Sequence, residues 1–183
     1  MTPYDDEKVY GARPTGVILI LLGILTIGIG TGVTVIASDT LLAFLLMGMP
    51  TLFLGLIELL TGFATFAARI EMSRNDLTIA APAWRACPLP PVRRFRLRWD
   101  EIRAVRQRAE IYHLLPGGGL PFPVDVYAVD TEKGRIVLGG KSLRGLAEAM
   151  REIAARSGGG MRAEEPVRAG LFRSFVQGPP AWP

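Results

Sequence analysis

Two apolar runs dominate the chain, Val17 to Ala37 and Leu41 to Ala68, with only Ser38, Asp39 and Thr40 between them. As a helix rising about 1.5 Å per residue, each run is long enough to cross roughly 30 Å of hydrocarbon. They predict a transmembrane hairpin over residues 17–68, with helices at 17–37 and 41–68, preceded by a segment 1–16. A signal peptide is the weaker reading. The first run exceeds the roughly 7–15 residues of a signal core, and Asp5, Asp6 and Glu7 precede it.

Within the second run Gly48, Thr51, Gly55, Glu58 and Gly62 recur at steps of three and four, and therefore share one helix face. In the first run Gly23, Thr26, Gly30 and Ala37 recur similarly, and Gly28 and Gly32 add a GxxxG pair. Small residues let helix backbones approach closely in lipid, so these faces are candidates for helix association, although glycine is common in membrane helices generally. Pro50 lacks a backbone donor and is expected to bend the second helix. Glu58 has two readings at this stage: a carboxylate reaching back to the interface, or a deeper one that must be paired or protonated.

From Arg69 the pattern changes to short alternating runs broken by Pro and Gly. Leu77 to Ile79 reads as a brief strand, and Pro82 to Pro91 as a loop in which Trp84 is placed to anchor at an interface. Arg94-Phe95-Arg96-Leu97-Arg98-Trp99 alternates strictly, putting Phe95, Leu97 and Trp99 on one face and three arginines on the other. Further strands are expected at Ile102 to Val105 and Ala109 to Leu114. Val124 to Thr131 and Arg135 to Leu138 form a hairpin about Glu132-Lys133-Gly134. A helix capped by Ser142 and running to about Arg156 shows its apolar face at Leu143, Leu146, Ala147, Met150, Ile153 and Ala154. These elements make one soluble unit, residues 69–157. Residues 158–183 read as a flexible tail in which Leu171, Phe172 and Phe175 could share a helix face, docking on a membrane or a partner or staying disordered until bound.

Charge sharpens this division. Residues 1–68 carry two basic and five acidic side chains and residues 69–183 carry nineteen and twelve, so a −3 apolar part precedes a +7 polar part. Lys8, Arg13, Arg69 and Arg74 flank the runs and no Lys or Arg lies between them, which places both termini in the cytoplasm by the positive-inside rule. Arg93, Arg94, Arg96 and Arg98, extended by Arg103, Arg106 and Arg108, read as a surface facing anions. Anionic lipid headgroups are the expected partner, plain solvation of an edge strand the alternative, and nucleic acid the least economical.

Catalytic signals are weak. Cys87 is the only cysteine and His113 the only histidine, which excludes an internal disulfide and the usual Cys/His zinc set. The Pro116-Gly117-Gly118-Gly119 stretch lacks the GK[ST] ending of a phosphate-binding loop. No enzyme activity, cofactor or metal is expected.

Several short strands closed by an amphipathic helix, together with Leu97-Arg98-Trp99-Asp100-Glu101-Ile102, Val105 and the hairpin Tyr127 to Leu138, resemble the bacterial PH-like (pleckstrin-homology-like) domains that follow transmembrane hairpins. The resemblance covers about Ile70 to Ser157. It implies an α+β membrane protein: a two-helix hairpin followed by a PH-like β-sandwich or partial barrel with a C-terminal capping helix, in a bacterial inner membrane. Folds of this kind serve many functions. The resulting expectation is a non-enzymatic adaptor or assembly module that engages a membrane-protein complex or anionic headgroups. The alternative is an accessory subunit of a transport or proton-coupled complex that uses Glu58.

Overall fold

The computed structural model describes residues 7–36, 41–83, 89–113, 121–140 and 143–170. A strand opens it: β1 (Lys8–Gly11) leads through Ala12 into helix α1 (Arg13–Ile36). The return is α2 (Leu41–Ala43), a π-helical turn (Phe44–Gly48) and α3 (Met49–Ala67), and Ala68 then leads into β2 (Arg69–Met72). β1 and β2 pair antiparallel, Gly11 opposite Arg69 and Lys8 opposite Met72. The apolar hairpin is therefore inserted between two adjacent strands of one sheet.

β3 (Asp76–Pro82) and β4 (Val92–Arg98) complete that sheet in the order β1-β2-β3-β4. A 3₁₀ turn at Trp99–Glu101 passes the chain to a second sheet of β5 (Ile102–His113), β6 (Pro121–Thr131) and β7 (Gly134–Gly139). Helix α4 (Leu146–Ser157) follows, and β8 (Met161–Ala163) and β9 (Val167–Gly170) then run parallel to β5 along its other edge. One core lies between the layers, joining Ile70, Met72, Leu77, Ile79 and Leu97 of the first sheet to Val105, Val129 and Leu138 of the second and to Met150 and Ile153 of α4. The fold is α+β with two sheets and two long apolar helices.

Several boundaries differ from the sequence reading. The first long helix begins at Arg13 rather than Val17, with Pro14 in its first turn, where a missing N–H is tolerated. Ahead of Pro50 the helix adopts a π turn, which accommodates the donor that proline lacks. β5 is one strand of 12 residues, with an irregularity between Ile102 and Ala104, instead of two. α4 starts at Leu146 behind Gly145, whose φ of 77° ends the preceding turn, so Ala147 falls on the exposed side. Residues 161–170, expected within a flexible tail, extend the second sheet. Gly158 and Gly160, with φ of 69° and 67°, reverse the chain after α4, and a methyl group on Gly159 would lie 2.5 Å from the Arg103 carbonyl oxygen. Ser38 to Thr40, Trp84, Cys87, Ser142 and Leu171 to Phe175 lie outside the described residues.

Candidate functional site

Three groups of residues stand out. The first is the seam between α1 and α3. Gly16, Gly23 and Gly30 recur every seven residues in α1, as do Gly48, Gly55 and Gly62 on the returning segment, and all six are buried. A methyl group on Gly23 would lie 2.7 Å from the Leu59 backbone nitrogen and 2.9 Å from the Gly55 carbonyl oxygen. One on Gly62 would lie 2.7 Å from the Ile20 nitrogen. The backbones thus meet where only hydrogen atoms fit, the device expected of helices that associate by packing alone. Gly28 and Gly32 meet nothing within 4 Å and do not join this seam. Gly16, which precedes the apolar run, extends it by about two turns beyond Gly23.

Glu58 sits in the same seam, nine residues before the end of α3, or about 14 Å along a helix. The Thr26 hydroxyl of α1 donates a hydrogen bond to its Oε2 at 2.8 Å. The carboxylate is thus turned toward the neighbouring helix.

The second group is the basic edge. β4 is an edge strand, and alternation falls as expected: Leu97 is buried, Phe95 and Trp99 pack against the core, and Arg94, Arg96 and Arg98 are exposed. The arginines are not equivalent. Gly11, Arg69, Ala80 and Arg94 stand side by side across the sheet, in the row where the apolar helices begin and end, and Arg93, opposite Ala81, is one residue nearer the helices. Arg98 lies four residues farther on, about 13 Å along the strand. Arg96 is paired with Asp76, its Nε donating to Oδ2 at 2.7 Å, and Arg98 lies 3.1 Å from Asp100. Hydrogen bonds from Ser73 and then Arg96 hold the Asp76 carboxyl below the ordinary range. Among the described residues Arg93 and Arg94 form no ion pair.

The expected extension of this surface through Arg103, Arg106 and Arg108 is not observed, because β5 belongs to the other sheet. Arg106 donates to Asp130 at 2.5 Å and to Glu164 at 2.7 Å, and Arg103 lies 3.4 Å from Glu132. Burial pushes Asp130 upward, but hydrogen bonds from Arg135 and Arg106 outweigh it and leave the carboxyl below its usual range.

Arg108 belongs to the third group, which sequence reasoning did not single out. Its Nε donates to Glu110 Oε1 at 3.1 Å, and the Tyr112 hydroxyl donates to Glu110 Oε2 at 2.5 Å. All three side chains are buried. They lie on the face of the second sheet opposite the main core, beside Val124, Val126 and Ala128. Alternation in Arg106-Gln107-Arg108-Ala109-Glu110 carried the signal that these side chains share a face; nothing local indicated that the face is covered.

Two salt links tie the N-terminal strand and the 3₁₀ turn to the rest. Lys8 of β1 donates to Glu152 of α4 at 2.7 Å, and Arg156 donates to the same carboxylate at 2.9 Å. The Lys8 hydrogen bond, opposed by burial and aided by Arg156, holds Glu152 below the usual carboxylate range. Lys133 donates to Glu101 at 2.6 Å. Among the described residues no group of three His, Cys, Asp or Glu side chains converges to hold a metal ion. No protein-family model matches the chain, and no curated protein or solved structure matches it.

Proposed function

We propose that this protein is a membrane-anchored, non-enzymatic PH-like module, held at the cytoplasmic face of a bacterial inner membrane, that engages anionic headgroups and a membrane-protein complex. Exposure along the helices supports the crossing. Only 17% and 11% of the apolar windows in Arg13–Ile36 and Phe44–Ala67 are buried, where the core helix of a soluble protein would be mostly buried. Their outward side chains, among them Leu21, Leu25, Phe53 and Phe63, are exposed and apolar. That surface needs lipid or protein against it.

Four strands, then three, then a helix is the order that supports the PH-like reading, with the membrane hairpin taking the place of the loop between the first two strands. The register of the first sheet carries the functional proposal. Because Gly11, Arg69, Ala80 and Arg94 form one row immediately beyond the helix ends, Arg93 and Arg94 stand at headgroup depth together with Arg13 and Arg69. Near an anionic surface each such charge contributes on the order of 1 kcal/mol. Arg96 and Arg98 stand farther along the strand and are matched by Asp76 and Asp100. The mechanism is positioning: strands continue directly from the helices, so the domain is held at a fixed height and presents the same face to its neighbours.

Native mass spectrometry of the full-length protein released from vesicles containing phosphatidylglycerol tests this. Retained anionic lipid should fall in the R93Q/R94Q variant and persist in R96Q/R98Q. Equal retention in both would remove the headgroup assignment.

The Thr26–Glu58 hydrogen bond favours a second reading, in which Glu58 exchanges a proton within the membrane as part of a transport complex. It requires that Glu58→Gln abolish proton-coupled activity of the assembled complex while assembly survives.

A further inference from the structure

At the end where β6 turns into β7 the second sheet holds a cavity of about 530 Å³. Arg103, Arg106, Arg135 and Arg162 line it, together with one carboxylate, Asp130. Val105, Val129, Ile136 and Met161 pack against the main core, so alternation turns their neighbours Arg106, Asp130, Arg135 and Arg162 to the other face. Register gathers them there. Arg162 of β8 stands beside Arg106 of β5, and Asp130 of β6 stands between Ala104 of β5 and Arg135 of β7. Like charges side by side on paired strands repel. Carboxylates answer part of that repulsion: Asp130 accepts from both Arg106 and Arg135, and Glu164 accepts from Arg106 at 2.7 Å. Arg103 lies 3.4 Å from Glu132 with the two side chains 67% and 60% exposed, a pairing that solvent holds to at most about 1 kcal/mol. Arg162 is exposed and forms no ion pair among the described residues.

We propose that this cavity binds a water-soluble phosphorylated solute, with Arg162 and Arg103 gripping the phosphate above a floor of Arg106 and Arg135. Guanidinium groups present paired N–H donors in a fixed fork, which suits an anion carrying several oxygens. Arg106 and Arg135 are oriented in advance by the carboxylate they share, so little is lost in ordering them when the anion arrives. The exposed Glu132 pairing is weak enough for a bound phosphate to take its place on Arg103. Position decides between a lipid and a free solute. The Glu132 amide donates to the Glu101 carbonyl at 3.3 Å and Lys133 donates to the Glu101 carboxylate at 2.6 Å. Glu101 closes the turn that follows Arg98, at the end of the first sheet remote from the apolar helices. The mouth of the cavity, beside Thr131 and Gly134, is thus on the side away from the bilayer. That choice rests on the membrane placement of the hairpin; the site itself does not.

Isothermal titration of the full-length protein in phosphatidylcholine nanodiscs, with inorganic pyrophosphate as the probe, tests this. Binding should saturate at one site per chain and weaken at least about tenfold in Arg103→Gln/Arg162→Gln, since each hydrogen bond to a charged group contributes about 1.5–3 kcal/mol. Both side chains are exposed, so the thermal midpoint of this variant should match that of the parent chain. Arg168→Gln is the control: Arg168 is exposed, but it stands beside Ile111, one position out of phase with Tyr112, and faces the other side of the sheet. It should leave binding unchanged. Discs containing phosphatidylglycerol should give the same affinity; exclusion of pyrophosphate by that lipid would make a headgroup the occupant and overturn the assignment to a free solute. Absence of saturation, a loss in Arg103→Gln/Arg162→Gln no greater than in Arg168→Gln, or saturation by an acidic peptide without phosphate where pyrophosphate fails would overturn the site.

Discussion

Replacing Gly23 by alanine should force the two apolar helices apart. The added methyl group would lie 2.7 Å from the Leu59 nitrogen and 2.9 Å from the Gly55 carbonyl oxygen, whereas ordinary contact begins at 3.4 Å. The shortfall is about 0.7 Å against backbone atoms, which cannot rotate away as a side-chain end can. Overpacking of this kind costs about 1–3 kcal/mol. Alanine returns about 1 kcal/mol through its better helix propensity, leaving a net loss of up to about 2 kcal/mol. Gly28→Ala is the internal control: with nothing within 4 Å it changes propensity only and should be neutral or slightly stabilising. Pyrene labels on cysteines replacing the outward-facing Leu22 and Phe63, in a Cys87→Ser background, would follow helix separation by loss of excimer emission during a detergent titration. Gly23→Ala should lower the midpoint and Gly28→Ala should not. Equal midpoints for the two variants would refute a seam built on Gly16, Gly23, Gly55 and Gly62.

Other consequences are equally direct. Thr26→Val removes the hydroxyl that Glu58 accepts from and should weaken helix association by about 1 kcal/mol in the same titration, while Thr31→Val, whose hydroxyl bonds its own helix, should not. Tyr112→Phe should destabilise the soluble unit by about 1–2 kcal/mol in thermal unfolding, because Glu110 loses a buried donor. Glu152 and Asp130 both titrate below their usual range, so their folded-state values lie beneath those of the unfolded chain. Their stabilisation is complete above the unfolded carboxylate value of roughly 4 and is lost as pH falls through the folded value. Thermal midpoints should therefore be level from neutrality to about pH 5 and fall below about pH 4, and Glu152→Gln should flatten that fall. A midpoint that rises on acidification would contradict the assigned partners.

What the chain disclosed in advance followed locality. The apolar runs, the alternation of Arg94 to Trp99 and the Glu132–Gly134 turn are each written within a dozen residues, and each has its counterpart in the structure. β1 was not legible, because Lys8-Val9-Tyr10-Gly11 becomes a strand only by pairing with residues 69–72, sixty positions later. β8 and β9 likewise depend on parallel pairing across α4. Gly16 was missed because it precedes the apolar run, although its seven-residue spacing from Gly23 and Gly30 was available. The basic stretch 93–108 looked like one surface, and the turn at Trp99–Glu101 divides it between two sheets. Arg108 and Glu110, two apart on one strand, gave no local sign of burial: charged side chains are rarely covered unless paired, and the pairing became visible only with the sheet.

A hairpin that crosses the bilayer sets the first sheet at its surface, with Arg94 near the headgroups and Arg98 beyond them. Spin labels on single cysteines at Leu25, Phe53, Arg94 and Arg98, each in the Cys87→Ser full-length protein reconstituted in vesicles, measure this as depth from the ratio of oxygen to nickel-complex accessibility. Leu25 and Phe53 should report hydrocarbon, Arg94 the phosphate level, and Arg98 the aqueous phase. Nickel-accessible labels at Leu25 and Phe53, or equal depths for Arg94 and Arg98, would contradict it.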